Sequence, residues 1–111
     1  GADAITAEQV LEMATLGSAR LLGRSDIGSL EIGKAADIAI FDLNKLEYTG
    51  ALSDPLAALI FSGINHESAA TIVNGEVVVQ SGQLVRVDEN EIIHNGNKIA
   101  SEMLKKVAEE T

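Results

Sequence analysis

The residues able to bind a metal or move a proton are few in this sequence, and they are widely separated. The two histidines, His66 and His94, belong to neither an H-x-H nor an H-E-x-x-H arrangement, the spacings that gather zinc ligands. There is no cysteine, which excludes thiolate ligands, cysteine nucleophiles and disulfides. We therefore assign no catalytic, cofactor-binding or metal-binding residue from the sequence.

His66, in the loop GINHES, has the better claim to a function of the two histidines. A small independent enzyme would need His66 to act with Asp54 or Glu67, but nothing in the sequence orders these groups around a cleft. A surface or hydrogen-bonding role is the favoured interpretation for His66. His94 falls on the polar side of a predicted helix, where a solvated histidine is expected.

Nucleophile and phosphate-binding motifs are also missing. No serine lies in a G-x-S-x-G elbow, and the glycines do not form a Walker loop. The acidic residues Asp88, Glu89 and Glu91 crowd a predicted helix start, where they interact favourably with the helix dipole and need no catalytic role.

Composition and charge restrict the partners. The formal net charge of −9 argues against a nucleic acid and against an anionic membrane, because both require clustered lysine and arginine. No apolar run is long enough to cross a membrane, and the first residues do not resemble a signal peptide. The absence of cysteine fits a reducing compartment, so a cytoplasmic location is expected.

The first predicted element is a helix over ITAEQVLEMATLGSARLLGR. Thr6 is the expected N-cap, Gln9 completes a capping box, and Gly23 ends the helix. Helical spacing places four residues on the face expected to pack against another element: Val10, Ala14, Gly17 and Leu21.

Two short strands are predicted next. Residues 29–32 alternate polar and apolar types, which indicates a half-buried strand ending at Gly33, and ADIAIFDL indicates a second strand. The intervening GKAAD is a turn in which Lys34 and Asp37 are given structural roles. The carboxylate of Asp37 is expected to accept backbone N–H bonds of this turn.

A short helix and a hairpin follow. Asp54 is the predicted N-cap of DPLAALIFSG, with Pro55 at the first helical position and Gly63 past the end. In AATIVNGEVVVQSG, the pair Asn74-Gly75 predicts a type I′ hairpin turn, which requires positive φ at both positions.

The last predicted element is an amphipathic helix over VDENEIIHNGNKIASEMLKKVAEET. Asp88 and Glu91 have capping-box spacing, and Gly96 marks close packing or a break. We expect the helix to dock on another surface through its apolar stripe: Ile92, Ile93, Ile99, Ala100, Met103, Leu104 and Val107.

Four segments in this order resemble the carboxy-terminal part of a metal-dependent amidohydrolase: ATLGSARLLG, IGSLEIGKAADIAIFDL, DPLAALIFSG and ATIVNGEVVVQSGQLVRVDENEI. The first two resemble amidohydrolases in general. The other two are more similar to the branch containing cytosine deaminase-like enzymes, 8-oxoguanine deaminase, S-adenosylhomocysteine deaminase and triazine chlorohydrolases.

The resemblance implies a parent enzyme with a (β/α)₈ barrel and one or two divalent metals, zinc or iron. The metals activate a water that attacks a ring carbon bearing an amino or halide leaving group. The implied ligands are an early H-x-H pair, later histidines and a late aspartate, and none maps onto this sequence. A chain of 111 residues is also shorter than the roughly 250 residues of such a barrel, so a fragment without catalysis of its own is expected.

The expected fold class is α+β, a partial β-sandwich with β-hairpins and flanking helices. By the resemblance, residues 1–24 form the last barrel helix, residues 25–87 part of a composite sandwich with a short helix near 54–62, and residues 88–111 the amphipathic helix. The expected partners are the missing amino-terminal part of the enzyme and, through exposed strand edges, a second copy of the chain.

A stand-alone β-rich interaction module, without catalytic activity, is the alternative that the sequence leaves open. A chain of this size should bury roughly 60–70% of its unfolded surface, so a modest core is expected.

Overall fold

The computed structural model describes residues 5–110 and has an α+β architecture, as expected. The helical elements are α1 (Ala7–Glu12), a first π segment (Met13–Gly17), α2 (Ser18–Leu21), a 3₁₀ turn (Leu46–Tyr48), α3 (Pro55–Ala57), a second π segment (Ala58–Ser62) and α4 (Glu89–Glu110). The strands are β1 (Ile38–Ile40), β2 (Ala70–Val73), β3 (Glu76–Gln80) and β4 (Gln83–Leu84).

The ends of the first helical run match the sequence prediction. The Thr6 hydroxyl accepts a bond from the Gln9 backbone N–H at 3.1 Å, and the Gln9 side chain accepts the Thr6 N–H at 2.9 Å. Gly23 has φ +73° just past α2 and donates to the Arg20 carbonyl at 3.0 Å, while the next N–H reaches the Ala19 carbonyl at 2.9 Å. This pair of bonds is a Schellman motif.

The predicted packing face of this helix is correct only in part, because Val10 and Gly17 are half-buried and the other two members are not. Leu21 is 89% exposed and Ala14 is exposed, whereas Ala19 is buried. The first π segment explains the difference, because an extra residue in one turn rotates everything that follows it. The Ser18 hydroxyl supports this wider turn by donating to the Met13 carbonyl at 2.6 Å.

The predicted strand over residues 29–32 is wrong. Leu30 and Ile32 both project into solvent, and the segment forms a loop closed by the Ala35 N–H donating to the Asp26 carbonyl at 2.8 Å. Within residues 5–110 no strand lies beside it to form a ladder, and an alternating pattern alone does not make a strand.

One four-stranded antiparallel sheet, in the order β1-β2-β3-β4, contains all the strands of residues 5–110. ADIAIFDL contributes only the three residues of β1, which pair Ile38 with Ile72. Asn74 has φ 49° and Gly75 has φ 81°, which confirms the predicted hairpin between β2 and β3. A bulge interrupts the register between Thr71 and Ile72.

A second two-residue turn was missed by the sequence prediction. Ser81 and Gly82 have φ 52° and 75°, and they join β3 to β4. The signal was present as the dipeptide Ser-Gly after a β-rich run.

The short helix before the sheet agrees with its prediction. Asp54 caps it by accepting the Ala57 N–H at 3.2 Å, Pro55 is its first residue and Gly63 follows its end. The α3 helix and the second π segment lie against α1, and Tyr48 and Ala58 are buried in this region. Ala19 is buried beside the loop at Gly28.

The last helix, α4, stands largely in solvent. Asp88 accepts backbone N–H groups of Asn90 at 3.0 Å and Glu91 at 3.3 Å. The carboxylate that reaches back is that of Glu89, which accepts the Leu84 N–H at 3.3 Å. No residue of α4 is buried, and Gly96 does not interrupt the helix. Among residues 5–110, no helix has the length and apolarity needed to cross a membrane.

The molecule is more extended than a self-sufficient domain of its size. Its accessible surface is 8719 Å², against about 5,800 Å² for a folded monomer of this mass. Its radius of gyration is 19.1 Å, against about 13 Å for a compact domain. The chain buries only about half of its unfolded surface, less than the expected 60–70%.

Candidate functional site

Two side chains that can donate or accept a proton, those of Tyr48 and His66, lie together beside Gly63. Tyr48, at the end of the 3₁₀ turn, is 3% exposed. A Cβ atom placed on Gly63 would lie 2.8 Å from the Tyr48 hydroxyl oxygen and 3.0 Å from Nε2 of His66. His66 itself has φ 53°, an uncommon conformation for a residue with a side chain. Both aromatic side chains therefore lie close to Gly63, in space that any other side chain at this position would need.

Glu47 links the 3₁₀ turn to the loop that carries His66. Its Oε2 accepts the backbone N–H of Ile64 at 2.7 Å, which fastens the loop carrying His66 to the 3₁₀ turn. Burial raises the pKa of the Tyr48 hydroxyl, and the negative charge of Glu47 raises it further. Tyr48 therefore stays protonated near neutral pH and is unsuited to act as a base. The sequence prediction singled out neither Tyr48 nor Glu47, which both lie in the 3₁₀ turn.

The structure does not assemble the small-enzyme arrangement around His66. The Asp54 carboxylate caps α3. The backbone N–H of Glu67 donates to the Asn65 side chain at 3.2 Å. Across the part of the chain that the structure describes, no hydrogen bond or ion pair joins His66 to Asp54 or Glu67. The arrangement provides no base held by an orienting acid.

The predicted structural roles of Lys34 and Asp37 hold, with one correction. Lys34 bonds Ser29 at 2.6 Å and Glu31 at 2.8 Å, which fixes the loop that replaces the predicted strand. The Asp37 carboxylate accepts the Asn74 N–H at 2.7 Å. Its partner is thus the turn between β2 and β3, and Asp37 joins the start of β1 to that distant turn.

Two exposed carboxylates in the same loop have shifted pKa values. The bidentate hydrogen bonds from Arg24, at 2.9 and 2.8 Å, lower the pKa of Asp26. Hydrogen bonds from Lys34 and then Ser29 lower the pKa of Glu31. These are surface ion pairs that hold a loop, and they do not form a site for proton transfer.

The donor groups do not fit a catalytic metal. Among residues 5–110, no group of three or more histidine, cysteine, aspartate or glutamate side chains could hold a metal ion. No reaction step through a metal can therefore be assigned to the residues of this chain.

Two open grooves with apolar walls lie on the surface of the chain. A groove of about 390 Å³ runs between the first helical run and β1, and its apolar walls include Leu11, Leu30, Ile38 and Phe41. Another, of about 530 Å³, lies on the outer side of the first helical run beside Ile5 and Met13. Gln9, Glu12 and Arg20 also line the second groove, but no histidine lines either groove, and both have the character of packing surfaces.

Comparison with known proteins identifies the family of this chain. Residues 1–78 match the profile of the amidohydrolase family. The chain is 41% identical over 104 residues to an 8-oxoguanine deaminase of Pseudomonas aeruginosa, covering 94% of this chain and 23% of that protein. It is 42% identical over 82 residues to a hydroxydechloroatrazine ethylaminohydrolase of a Pseudomonas species, covering 74% of this chain and 17% of that protein.

A solved structure agrees with these relatives. The zinc complex of atrazine chlorohydrolase from Arthrobacter aurescens superposes with a TM-score of 0.79 at 40% identity, over 84% of this chain and 20% of that one. This chain therefore spans about a fifth of the length of the relatives that it matches. By sequence and by structure, the chain belongs to the amidohydrolase family.

Proposed function

We propose that this chain is a carboxy-terminal, non-catalytic part of a metal-dependent amidohydrolase. The whole enzyme hydrolyses a C–N or C–halide bond of a heterocyclic substrate, as a deaminase or a chlorohydrolase. The observation that carries the proposal is the 41% identity with 8-oxoguanine deaminase over 94% of the chain and only 23% of the relative. The metal ligands, the barrel and the substrate pocket then lie in the remainder of the polypeptide.

The exposed apolar residues support this assignment. Leu30 is 76% exposed and Ile32 is fully exposed, beside a β1 strand whose second edge is open within residues 5–110. Burying such residues against another part of the enzyme would stabilise it by about 1.5–3 kcal/mol for each side chain that becomes fully covered. We assign the cover to the amino-terminal part of the same polypeptide, which completes a β-sandwich around the sheet.

The proposed division of the chain follows from this assembly. Residues 1–24 supply the last helix of the barrel, residues 25–87 supply part of the sandwich, and residues 88–111 form the terminal helix. The first four residues and the last one lie outside the described residues. Zinc, which the related chlorohydrolase structure contains, is the metal we propose for the whole enzyme, and the cytoplasm is its proposed location.

A chimera tests whether this chain can replace its counterpart. The matched 104-residue stretch of the Pseudomonas aeruginosa deaminase is exchanged for the corresponding residues of this chain, and a deletion of the same stretch is the control. We expect the chimera to bind zinc and deaminate 8-oxoguanine, and the deletion to be insoluble or inactive. A folded chimera without zinc binding would show that this chain does more than support the barrel, which contradicts the proposal.

The gene region upstream of Gly1 gives an independent test. An in-frame H-x-H on a predicted strand, followed by further histidines and an aspartate at later strand ends, is the expected result. A start codon immediately before Gly1 would favour the alternative, a stand-alone interaction module. Cooperative two-state unfolding of the isolated chain would point the same way.

A further inference from the structure

Two Asn-Gly pairs occur in the sequence, Asn74-Gly75 and Asn95-Gly96. Such pairs can lose the side-chain amide without an enzyme, because glycine has no side chain to hinder the approach of its own backbone nitrogen. The glycine nitrogen attacks Cγ of the asparagine, and the side-chain amide takes the proton of that nitrogen and leaves as ammonia. Water then opens the five-membered succinimide and gives aspartate or isoaspartate. The surroundings of each pair decide which of them reacts.

The pair Asn74-Gly75 is held by bonds to a distant segment. The Asn74 N–H donates to the Asp37 carboxylate at 2.7 Å, and the Gly75 N–H donates to the Ala36 carbonyl at 3.0 Å. The nitrogen that would attack is therefore engaged with the start of β1. For the reaction to begin, the turn between β2 and β3 must separate from that segment, which is a rare opening.

The pair Asn95-Gly96 lies in the interior of α4. An α-helical N–H donates to the carbonyl four residues earlier, so the Gly96 nitrogen must also leave a bond before it attacks. Here, however, the bond is local. No residue of α4 is buried, and within residues 5–110 a Cβ atom placed on Gly96 would meet no atom within 4 Å. The helix itself is therefore the main support of this turn.

The sequence makes this same turn the weakest part of the helix. His94, Asn95, Gly96 and Asn97 are consecutive, and all four belong to the residue types of low helix propensity. All four are exposed. Since helices depend mainly on packing of a buried face, an exposed run of poor helix formers is where local opening should be most frequent.

We propose that Asn95 is a deamidation site of this protein, and that the turn at Asn74 is protected from the same reaction. Either product adds a negative charge to a chain whose net charge is already −9. Isoaspartate also inserts a methylene group into the main chain, which interrupts the helical hydrogen bonds and divides α4 near its middle. The proposal concerns the chain itself and does not rest on the catalytic assignment of the parent enzyme.

Incubation of the 111-residue chain at mildly alkaline pH tests the proposal. Mass spectrometry of the peptides after digestion follows the conversion of each asparagine amide to an acid. The same chain in concentrated urea gives the rate of each pair without structure, and the ratio of the two rates is the protection. We expect the protection of Asn74 to exceed that of Asn95 at least about tenfold. Equal protection, or Asn95 intact after the urea sample has reacted, overturns the proposal.

Two variants that keep both Asn-Gly pairs test the cause. H94A/N97A strengthens the helix and should slow the reaction of Asn95 at least about threefold in buffer, with little change in urea. D37A removes the acceptor of the Asn74 N–H and should speed the reaction of Asn74 while Asn95 keeps its rate. Circular dichroism checks that each variant is folded. If H94A/N97A does not slow Asn95 in buffer, opening of the helix does not control the reaction and the proposal fails.

Discussion

The neighbours of Gly63 require a glycine at this position. Its backbone conformation does not, because it is an ordinary one. Its φ of −68° suits any residue, but the Tyr48 hydroxyl and the His66 ring occupy the space that a Cβ would need. The glycine was predicted as the residue following a helix, and that position is correct. Its close contacts involve residues up to 15 positions away, which no local pattern could indicate.

Gly63→Ala should therefore lower the free energy of unfolding by about 1–3 kcal/mol, the usual cost of overpacking. Urea unfolding measures the change. Gly96→Ala is the matched control, because its Cβ meets no atom within 4 Å, and it should stabilise the chain by about 0.5–1 kcal/mol through helix propensity.

Tyr48→Phe distinguishes a steric effect at Gly63 from a backbone effect. It removes the hydroxyl oxygen that would lie 2.8 Å from the new Cβ. In a double-mutant cycle, G63A should cost less in the Y48F background than in the original chain. Equal costs in the two backgrounds would exclude the hydroxyl as the source of the clash.

Asp37 is a second residue whose role depends on a distant partner. Its bond to the Asn74 N–H joins β1 to the turn between β2 and β3. Asp37→Ala should cost about 1 kcal/mol, whereas Asp37→Asn keeps an acceptor oxygen and should cost less. Thermal unfolding of the two variants side by side checks this order. If Asn is as harmful as Ala, the hydrogen bond is not what holds β1.

At the scale of elements, turns and caps were predictable because they depend on neighbouring residues. The capping box of Thr6 and the hairpin at Asn74-Gly75 have the predicted geometry. The buried face of the first helical run was predictable only in part, since the π segment changes its phase. The strand expected at residues 29–32 failed for a different reason: a strand needs a neighbour, and the described chain does not provide one there.

The loop that replaces this strand should be sensitive to acid. The folded-state pKa values of Asp26 and Glu31 lie below their ordinary values, so the folded chain favours the ionised forms. Their contribution to stability is present above the unfolded-state pKa values of about 4 and is lost as pH falls through the folded-state values.

Replacing Arg24 and Lys34 by methionine tests this linkage. The double variant should lose less stability than the original chain between pH 6 and pH 3, because its carboxylates lack the cations that lower their pKa. Urea midpoints at several pH values give the comparison, and K105M/K106M in α4 is the charge-matched control. Parallel pH profiles for the original chain and R24M/K34M would contradict the argument.

At the scale of the whole molecule, the small buried core sets the response to denaturant. The slope of unfolding free energy against urea concentration follows the surface that unfolding exposes. Since the chain keeps 8719 Å² accessible when folded, its slope should be about three-quarters of that of a compact domain of equal length. Urea unfolding at low protein concentration gives the value. A slope typical of a compact domain would mean that the apolar surfaces pack against each other in solution.

The order of the strands also has a consequence for the path of folding. The turns at Asn74-Gly75 and Ser81-Gly82 each close a hairpin between neighbours in sequence, which takes microseconds. The β1 strand must instead reach β2 across a long connection through α3, so its contacts have a high sequence separation. The hairpins should form first, and until β1 arrives the outer edge of β2 is the place where a strand from another nascent chain can bind by mistake.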